Sequence, residues 1–168
     1  STKPRKKPDI RKHQETAVDD VEKGFKDNDR GQLIMACGTG KTYTTLWIKE
    51  RIKSKSTLVL VPSLSLLSQS LKEWTFASKE SFDALCVCSD ATIGKNSIYD
   101  SIEQSVKEFP FPVTPNVKEE ALEEIKNFLK GRGSKVIFST YQSSPLIAES
   151  QSEIKNTRFD LMIADEAH

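Results

Sequence analysis

A run of small and polar residues, GTGKT at residues 38–42, has the residue types that can hold a polyphosphate. It follows an apolar run, QLIMAC at 32–37, and precedes a segment with helical spacing. Between a strand and a helix, the two glycines let backbone N–H groups curl around phosphates, because no Cβ stands in the way. Lys41 can reach the β and γ phosphates, and the Thr42 hydroxyl can bind Mg²⁺. The predicted nucleotide-binding residues of this loop are Cys37, Gly38, Thr39, Gly40, Lys41 and Thr42.

The loop departs from the full phosphate-binding pattern at one position. That pattern has a glycine five residues before Gly40, where this chain has Met35. Because Met35 lies at the end of the predicted strand, the departure leaves the phosphate cradle unchanged. The alternative is a tight strand-to-helix turn that carries an incidental lysine.

An acidic pair closes the chain in IADEAH at residues 163–168. It follows an apolar run, so Asp165 is expected at the carboxyl edge of a sheet, where open parallel sheets bind their ligands and where the glycine loop also belongs. Asp165 fits a partner of Mg²⁺, and Glu166 fits a base that orients and activates water for attack on a γ-phosphate. An exposed loop after a strand is the alternative for both residues.

Alternating strands and helices must position these two motifs. Each apolar run is followed by a segment with helical periodicity, and the clearest helix is predicted over 114–131. Such alternation predicts an α/β fold with a mostly parallel sheet covered by helices on both faces. The stretch 91–113 has no clean period and is predicted to be an insertion or a long loop. The predicted strands are 32–37, 57–62, 83–90, 134–142 and 158–166, and the other predicted helices are 14–25, the segment after Thr42, 63–74 and 145–152.

Composition describes a single ordinary globular domain. The chain has 168 residues, a net charge of +1 and no long apolar run, so nothing indicates a membrane span or a global field for nucleic acid. Three cysteines without metal-ligand spacing and no secretory signal favour the cytoplasm. Residues 1–12 carry six basic side chains and are predicted to be an arm or linker that contacts phosphates or joins domains; a solvated tail is the alternative.

For two cysteines, both tryptophans and one histidine, the sequence favours a structural role over a chemical one. Cys86 and Cys88 alternate on one strand and are predicted to be buried small side chains. Trp47 and Trp74 lie on helical apolar stripes, which favours packing over base stacking. His13 is predicted to face solvent.

With these motifs, the chain resembles the superfamily 2 helicases and translocases. ACGTGKT resembles their motif I and DEAH their motif II. The resemblance implies that residues 13–168 form an N-terminal RecA-like P-loop lobe that ends after DEAH. It further implies that ATP and Mg²⁺ are the cofactors and that the lobe takes part in ATP hydrolysis. By this resemblance the catalytic residues are Lys41, Asp165 and Glu166, and the Mg²⁺ ligands are Thr42 and Asp165.

Other segments extend the resemblance. IRKHQ at 10–14 is similar to the segment that recognises adenine, which assigns Gln14 to the nucleotide. VPSLSLLSQ at 61–69 is similar to motif Ia and STYQS at 139–143 to motif Ib, both of which face the nucleic-acid backbone in the family. The implied DNA contacts are Ser63, Thr140 and Gln142, although a Ser or Thr at a strand end is also a common helix cap.

The segments RGQLIMACGTGKT, LVPSLSLLSQSLKEW, CSD and VIFSTYQS together resemble the motor segment of type I-like, single-polypeptide restriction-modification enzymes and related predicted helicases. That resemblance implies a bacterial translocase on double-stranded DNA, with a second RecA-like lobe, a nuclease and a methyltransferase elsewhere in a larger polypeptide. Because an arginine of the second lobe completes the site in this family, we expect the lobe alone to bind ATP weakly and to hydrolyse it poorly. His168 would couple the site to later motifs.

Two other functions are compatible with the motifs. One is a different P-loop enzyme that DNA does not drive, such as a kinase or an AAA-type ATPase. The three strands predicted between Lys41 and Asp165 argue against a compact kinase. The other is a nucleotide-responsive interaction module that never hydrolyses its ligand.

Overall fold

A computed structural model describes residues 6–28, 40–88, 118–155 and 158–165 of the chain. Two compact units divide it: unit 1 comprises Ser1–Lys53 and Lys72–Glu80, and unit 2 comprises Ser54–Leu71 and Ser81–His168. Several predictions fall outside the described residues. They are the strand 32–37, the loop residues Cys37, Gly38 and Thr39, the insertion 91–113, and the terminal residues Glu166 and His168.

Unit 1 contains two packed helices, α1 (Lys12–Asp27) and α2 (Lys41–Ile52), together with the last residues of α3 (Leu64–Ala77). The guanidinium of Arg51 on α2 bonds the carboxylates of Asp19 and Glu22 on α1 at 2.6 and 3.1 Å. These two hydrogen bonds raise the pKa of Arg51. Since all three side chains are substantially exposed, we expect each ion pair to contribute at most about 1 kcal/mol.

Lys7, near the beginning of the described part of unit 1, contacts the segment that follows α3. The ammonium of Lys7 donates to the carbonyl oxygen of Ser78 at 2.9 Å, just after α3. The Glu50 carboxylate accepts the backbone N–H groups of Lys79 and Glu80 at 3.0 and 3.2 Å. Lys7, within the segment predicted to be an arm or linker, therefore has a defined partner in unit 1.

Within the described residues, unit 2 contains a parallel sheet of four strands in the order β2-β3-β1-β4. The elements agree with the prediction of strands alternating with helices, and the α/β class with a parallel sheet is confirmed. The strands are β1 (Ser56–Val61), β2 (Asp83–Val87), β3 (Lys135–Thr140) and β4 (Leu161–Ala164). The helices are the first residues of α3, α4 (Lys118–Lys130), a 3-10 turn (Tyr141–Ser143) and α5 (Ser144–Ser152).

A continuous apolar core in unit 2 joins the sheet to α4 and α5. Ile137 of β3 and Ile125 of α4 are both fully buried in it. α4, which lies within the predicted helix 114–131, folds onto the sheet because its apolar residues recur at helical spacing. It has acids in its first turn and Lys130 in its last, which suits the helix dipole. Truncating Ile125 to alanine should cost about 2–5 kcal/mol. The other core residues are Leu58, Leu60, Leu85, Val87, Ala121, Leu122, Leu129, Leu146 and Ile147.

Strand pairing aligns the carboxyl ends of three strands. Val61 of β1 pairs with Thr140 of β3, and Leu60 pairs with Ala164 of β4. At the opposite ends, the Asp160 carboxylate accepts the backbone N–H of Lys55 at 2.9 Å, which fixes where β1 begins. Residues just after β1, β3 and β4 therefore lie together at one edge of unit 2.

The tryptophans and two of the cysteines are buried, as the sequence predicted. Trp47, Trp74, Cys86 and Cys88 are all buried, whereas His13 is exposed. Among the residues that the structure describes, no helix has the length and apolar character needed to cross a bilayer.

Candidate functional site

The beginning of α2 in unit 1 has the properties of a phosphate-binding helix N-terminus. Gly40 is the N-cap residue and adopts a left-handed conformation, with φ of +76°. No side chain caps this helix end, and its first turn contains no acidic residue. Since the first amide N–H groups of a helix point out of its N-terminus and the helix dipole is positive there, this end suits an anion. Lys41 and Thr42 occupy this first turn and are half-buried.

Gly40 is confined by a side chain of α1. The Gln14 amide nitrogen donates to the Gly40 carbonyl oxygen at 3.3 Å, and the Gln14 amide oxygen accepts the Arg11 N–H at 2.9 Å. A Cβ added at Gly40 would lie 2.3 Å from the Gln14 nitrogen. Glycine is therefore required for two reasons, the positive φ and the close approach of Gln14. The Gln14 side chain is only 3% exposed, and its role toward adenine stays a prediction.

The Thr42 carbonyl receives two side-chain hydrogen bonds. The indole N–H of Trp74 donates to it at 3.0 Å, and the Thr45 hydroxyl donates at 2.8 Å. Trp74 is fully buried. Sequence reasoning assigned Trp74 to packing alone; its helical spacing explains its burial but contains no signal for its hydrogen-bond partner.

Asp165 directly follows β4 in unit 2. Its backbone N–H donates to the Leu60 carbonyl oxygen at 2.8 Å, which continues the pairing of β4 with β1 by one residue. The residue is half-buried. Asp165 therefore lies at the end of a strand of a parallel sheet, the position from which the sequence predicted that it would act. Its partner in that prediction, Glu166, lies outside the described residues.

The predicted DNA-contact residues lie at the carboxyl ends of β1 and β3, at the same edge of the sheet. We call Ser63, Thr140, Gln142 and Asp165 the carboxyl edge of unit 2. The Ser63 hydroxyl accepts the Leu66 N–H at 3.3 Å, so Ser63 caps α3, the alternative role that the sequence left open. The Thr140 side chain is 6% exposed, whereas Gln142 is exposed.

The carboxyl edge also contains an aromatic residue that sequence reasoning passed over. Tyr141, between Thr140 and Gln142, is 37% exposed. The 3-10 turn Tyr141–Ser143 accounts for this exposure, because it redirects the chain immediately after β3. Roles of the carboxyl-edge residues toward nucleic acid stay predictions.

Comparison with protein families matches residues 7–168 to the family described as type III restriction enzyme, res subunit. Two curated relatives are probable helicases, each named A859L, from two isolates of African swine fever virus. They are 32% and 31% identical over 140 residues, which cover 83% of this chain and 14% of each viral protein. The chain thus spans about one-seventh of the length of these relatives.

Two solved structures share the fold. One is a nuclease-deletion mutant of the Type ISP restriction-modification enzyme LlaGI in complex with a DNA substrate mimic, with a TM-score of 0.76 and 35% identity. The other is the ATP-dependent Type ISP enzyme LlaBIII bound to DNA, with a TM-score of 0.76 and 36% identity. The matches cover 96% and 97% of this chain and 15% and 11% of those enzymes. These findings confirm the RecA-like α/β fold and the resemblance to superfamily 2 motors and type I-like restriction-modification enzymes.

Proposed function

Since this chain belongs to the family of the type III restriction enzyme res subunit, we propose that it is the ATP-binding first motor lobe of an ATP-dependent DNA helicase or translocase. The observation that carries the proposal is the N-terminus of α2, where Gly40, Lys41 and Thr42 begin a helix that has no side-chain cap and no acid in its first turn. The larger parent polypeptide would carry a second RecA-like lobe, a nuclease and a methyltransferase. Its location in the cytoplasm belongs to the same proposal.

In this proposal, ATP binds through its phosphates to the loop Cys37–Thr42. Backbone N–H groups of Gly38, Thr39 and Gly40 would hold the phosphates, and the Lys41 ammonium would balance their charge. Gln14, in α1, would recognise adenine by the amide group that now contacts Gly40. That use requires the amide to exchange or share its present hydrogen bonds, so adenine binding would be linked to the position of Gly40.

A magnesium ion that arrives with the nucleotide belongs to the same proposal. Mg²⁺ is usually held by few protein oxygens together with substrate phosphates, and Thr42 and Asp165 would supply a hydroxyl and a carboxylate. The hydrogen bond from the Asp165 backbone N–H to Leu60 fixes the backbone that carries this carboxylate at the end of β4. When bound, the ion would supply positive charge to the phosphate oxygens during phosphoryl transfer.

Hydrolysis requires an oriented water molecule. Glu166 would hold this water in line with the γ-phosphate and accept its proton. Lys41 would stabilise charge on the γ-phosphate oxygens. An arginine from the second lobe would complete this stabilisation, so the lobe alone is expected to hydrolyse ATP slowly.

DNA is the proposed partner of the carboxyl edge of unit 2. Two solved relatives with the same fold are DNA-bound enzymes. Gln142 exposes an amide group at this edge, and Ser63 and the buried Thr140 would add hydroxyl groups. Such groups hydrogen-bond to phosphate without reading sequence. Because the chain has a net charge of only +1, we expect the affinity of this lobe for double-stranded DNA to be weak and to fall steeply with salt.

The test is the ATPase rate with and without duplex DNA, measured on this chain and on the longest natural polypeptide that contains it. Stimulation by DNA in the long form alone supports a motor split between two lobes. DNA-independent turnover by the 168-residue chain favours a different P-loop ATPase. Binding of ATP without turnover in either form supports a nucleotide-responsive module. In each protein K41A is the control, because it should abolish ATP binding without removing core contacts.

A further inference from the structure

The indole N–H of Trp74 reaches the first turn of α2 from α3. Its nitrogen lies 3.0 Å from the carbonyl oxygen of Thr42, within unit 1. The Trp74 side chain is fully buried, and its ring is among the largest buried side chains of the chain. A buried indole N–H is costly to leave without an acceptor, and a tryptophan has only two side-chain torsions to adjust. The contact therefore fixes the distance between Trp74 and the Thr42 peptide group.

A contact at Thr42 can affect both the proposed Mg²⁺ ligand and the proposed phosphate-binding turn. Its side chain is the proposed hydroxyl ligand of Mg²⁺, and its backbone lies in the first turn, whose N–H groups face the phosphates in the proposed function. The Thr42 carbonyl and the Tyr43 N–H belong to one peptide plane, which is joined to the Cα that carries the Thr42 hydroxyl. Movement of this plane would therefore displace both a first-turn N–H and the hydroxyl. The Thr45 hydroxyl donates to the same carbonyl at 2.8 Å, so donors from two helices hold it. Hydrogen bonds to a carbonyl also polarise its peptide group, which strengthens bonds made by the same group on its other side.

We propose that Trp74 is a positioning residue for nucleotide binding, whose indole N–H holds the first turn of α2 in the orientation that the phosphates and Mg²⁺ require. The inference rests on the proposed function, because it concerns the same phosphate-binding turn. It goes beyond that function by assigning a role to a fully buried residue that is not among the proposed contacts with ATP or DNA. The inference also gives the two parts of the Trp74 side chain different roles. The N–H group positions the turn, whereas the ring fills space in the core whether or not the N–H group has an acceptor.

The first test uses the wild-type chain. The sequence contains two tryptophans, Trp47 and Trp74, so a proton–nitrogen correlation spectrum has two indole signals. Trp47 lies on α2 with its ring stacked on Tyr43, and W47F assigns the two signals. Adding a non-hydrolysable ATP analogue with Mg²⁺ should shift the Trp74 indole signal further than that of Trp47. An unmoved Trp74 signal, at nucleotide concentrations where calorimetry shows saturation, would overturn the proposal.

The second test removes the N–H group and retains an aromatic ring. W74F should raise the dissociation constant for the Mg²⁺-bound analogue about tenfold, as expected when one buried hydrogen bond is lost. It should also raise the Mg²⁺ concentration needed for half-maximal binding. The matched control W47F removes an indole from the same unit and should bind as the wild type does. Equal affinity and equal Mg²⁺ dependence for W74F and W47F would contradict a positioning role.

Two comparisons separate this inference from the function on which it rests. If the wild-type chain binds no nucleotide, the proposed function fails. If K41A abolishes binding while W74F binds like the wild type, only the role of Trp74 fails. Should W74F unfold, the indole spectrum of the wild-type chain still decides, since it needs no substitution at Trp74.

Discussion

The amide nitrogen of Gln14 donates a hydrogen bond to the carbonyl oxygen of Gly40 across 3.3 Å. This contact joins the first turn of α1 to the residue that starts α2. It brings the predicted adenine-recognition residue against the predicted phosphate-binding loop, although the two residues are 26 positions apart in the chain. The same approach leaves no room for a side chain at Gly40. Substitutions at these two positions therefore test the arrangement directly.

Replacing Gly40 by alanine should destabilise unit 1 and prevent nucleotide binding. The left-handed backbone alone costs an alanine about 1–2 kcal/mol, and the new Cβ would also displace the Gln14 amide. Thermal unfolding and calorimetric ATP titration would measure both effects. The matched control is G24A, since Gly24 lies within α1 with nothing within 4 Å of an added Cβ. G24A should raise stability by about 0.5–1 kcal/mol and leave binding unchanged. Normal nucleotide binding by G40A would show that the conformation of Gly40 is not needed.

Replacing Gln14 by alanine should weaken discrimination between nucleobases. The amide offers a donor and an acceptor, which match the edge of adenine, whereas an alanine offers neither. Competition titrations with ATP and GTP should show that Q14A loses most of the preference of the wild type for ATP. Q14E, which keeps the acceptor but not the donor, should fall in between. An unchanged ATP preference in Q14A would restrict Gln14 to its contacts with Arg11 and Gly40.

Changing Glu166 to glutamine should separate nucleotide binding from hydrolysis. A glutamine keeps the size of the side chain and its ability to hold water, but it cannot accept a proton. In the longest natural polypeptide containing this chain, E166Q should bind ATP like the wild type and lose DNA-stimulated turnover. Rapid-quench measurement of a single turnover isolates the chemical step. Wild-type turnover by E166Q would remove Glu166 from the role of base.

Substitutions at the carboxyl edge should divide into two classes. Because Ser63 caps α3, S63A should lower stability by about 0.5–2 kcal/mol, whether or not Ser63 contacts DNA. Gln142 is exposed after β3, so Q142A should leave thermal stability unchanged and raise the DNA concentration needed for half-maximal ATPase stimulation. If Q142A has no effect on DNA stimulation at low salt, the assignment of this edge to DNA fails at Gln142.

Thiol chemistry should report the burial of β2. Burial raises the pKa of Cys86 from 9.0 to about 12, with a further contribution from the neighbouring Cys88. A raised pKa in the folded state stabilises the protein below pH 9.0, and this stabilisation is lost as the pH rises towards 12. At pH 8 a thiol reagent should label Cys86 and Cys88 only after denaturant is added. C37S serves as the control, because it leaves these two as the only cysteines. Rapid labelling of native C37S would contradict the buried placement.

Sequence patterns predicted the scaffold of both units because burial is periodic. Strands such as β1 and β3 are buried on both faces and appear in the sequence as apolar runs, and α4 appears as a stripe that repeats at helical spacing. The types of the residues in GTGKT and DEAH likewise indicate their chemistry, since few combinations can hold phosphate and Mg²⁺. Periodicity does not identify hydrogen-bond partners, however. It predicted the helix over 63–74 and the packing of Trp74, without indicating what the Ser63 hydroxyl or the Trp74 indole would bond.

By itself, the sequence therefore determined the class of the fold, the helix that follows Gly40 and the position of Asp165 after an apolar strand. Tertiary structure decided the order β2-β3-β1-β4, the closeness of Gln14 to Gly40, and the acceptor of the Trp74 indole at Thr42. The physical reason is the separation along the chain of the residues that interact. Local preferences and periodic burial depend on near neighbours in the chain, whereas these contacts join residues 26 and 32 positions apart and exist only after helices and strands have packed.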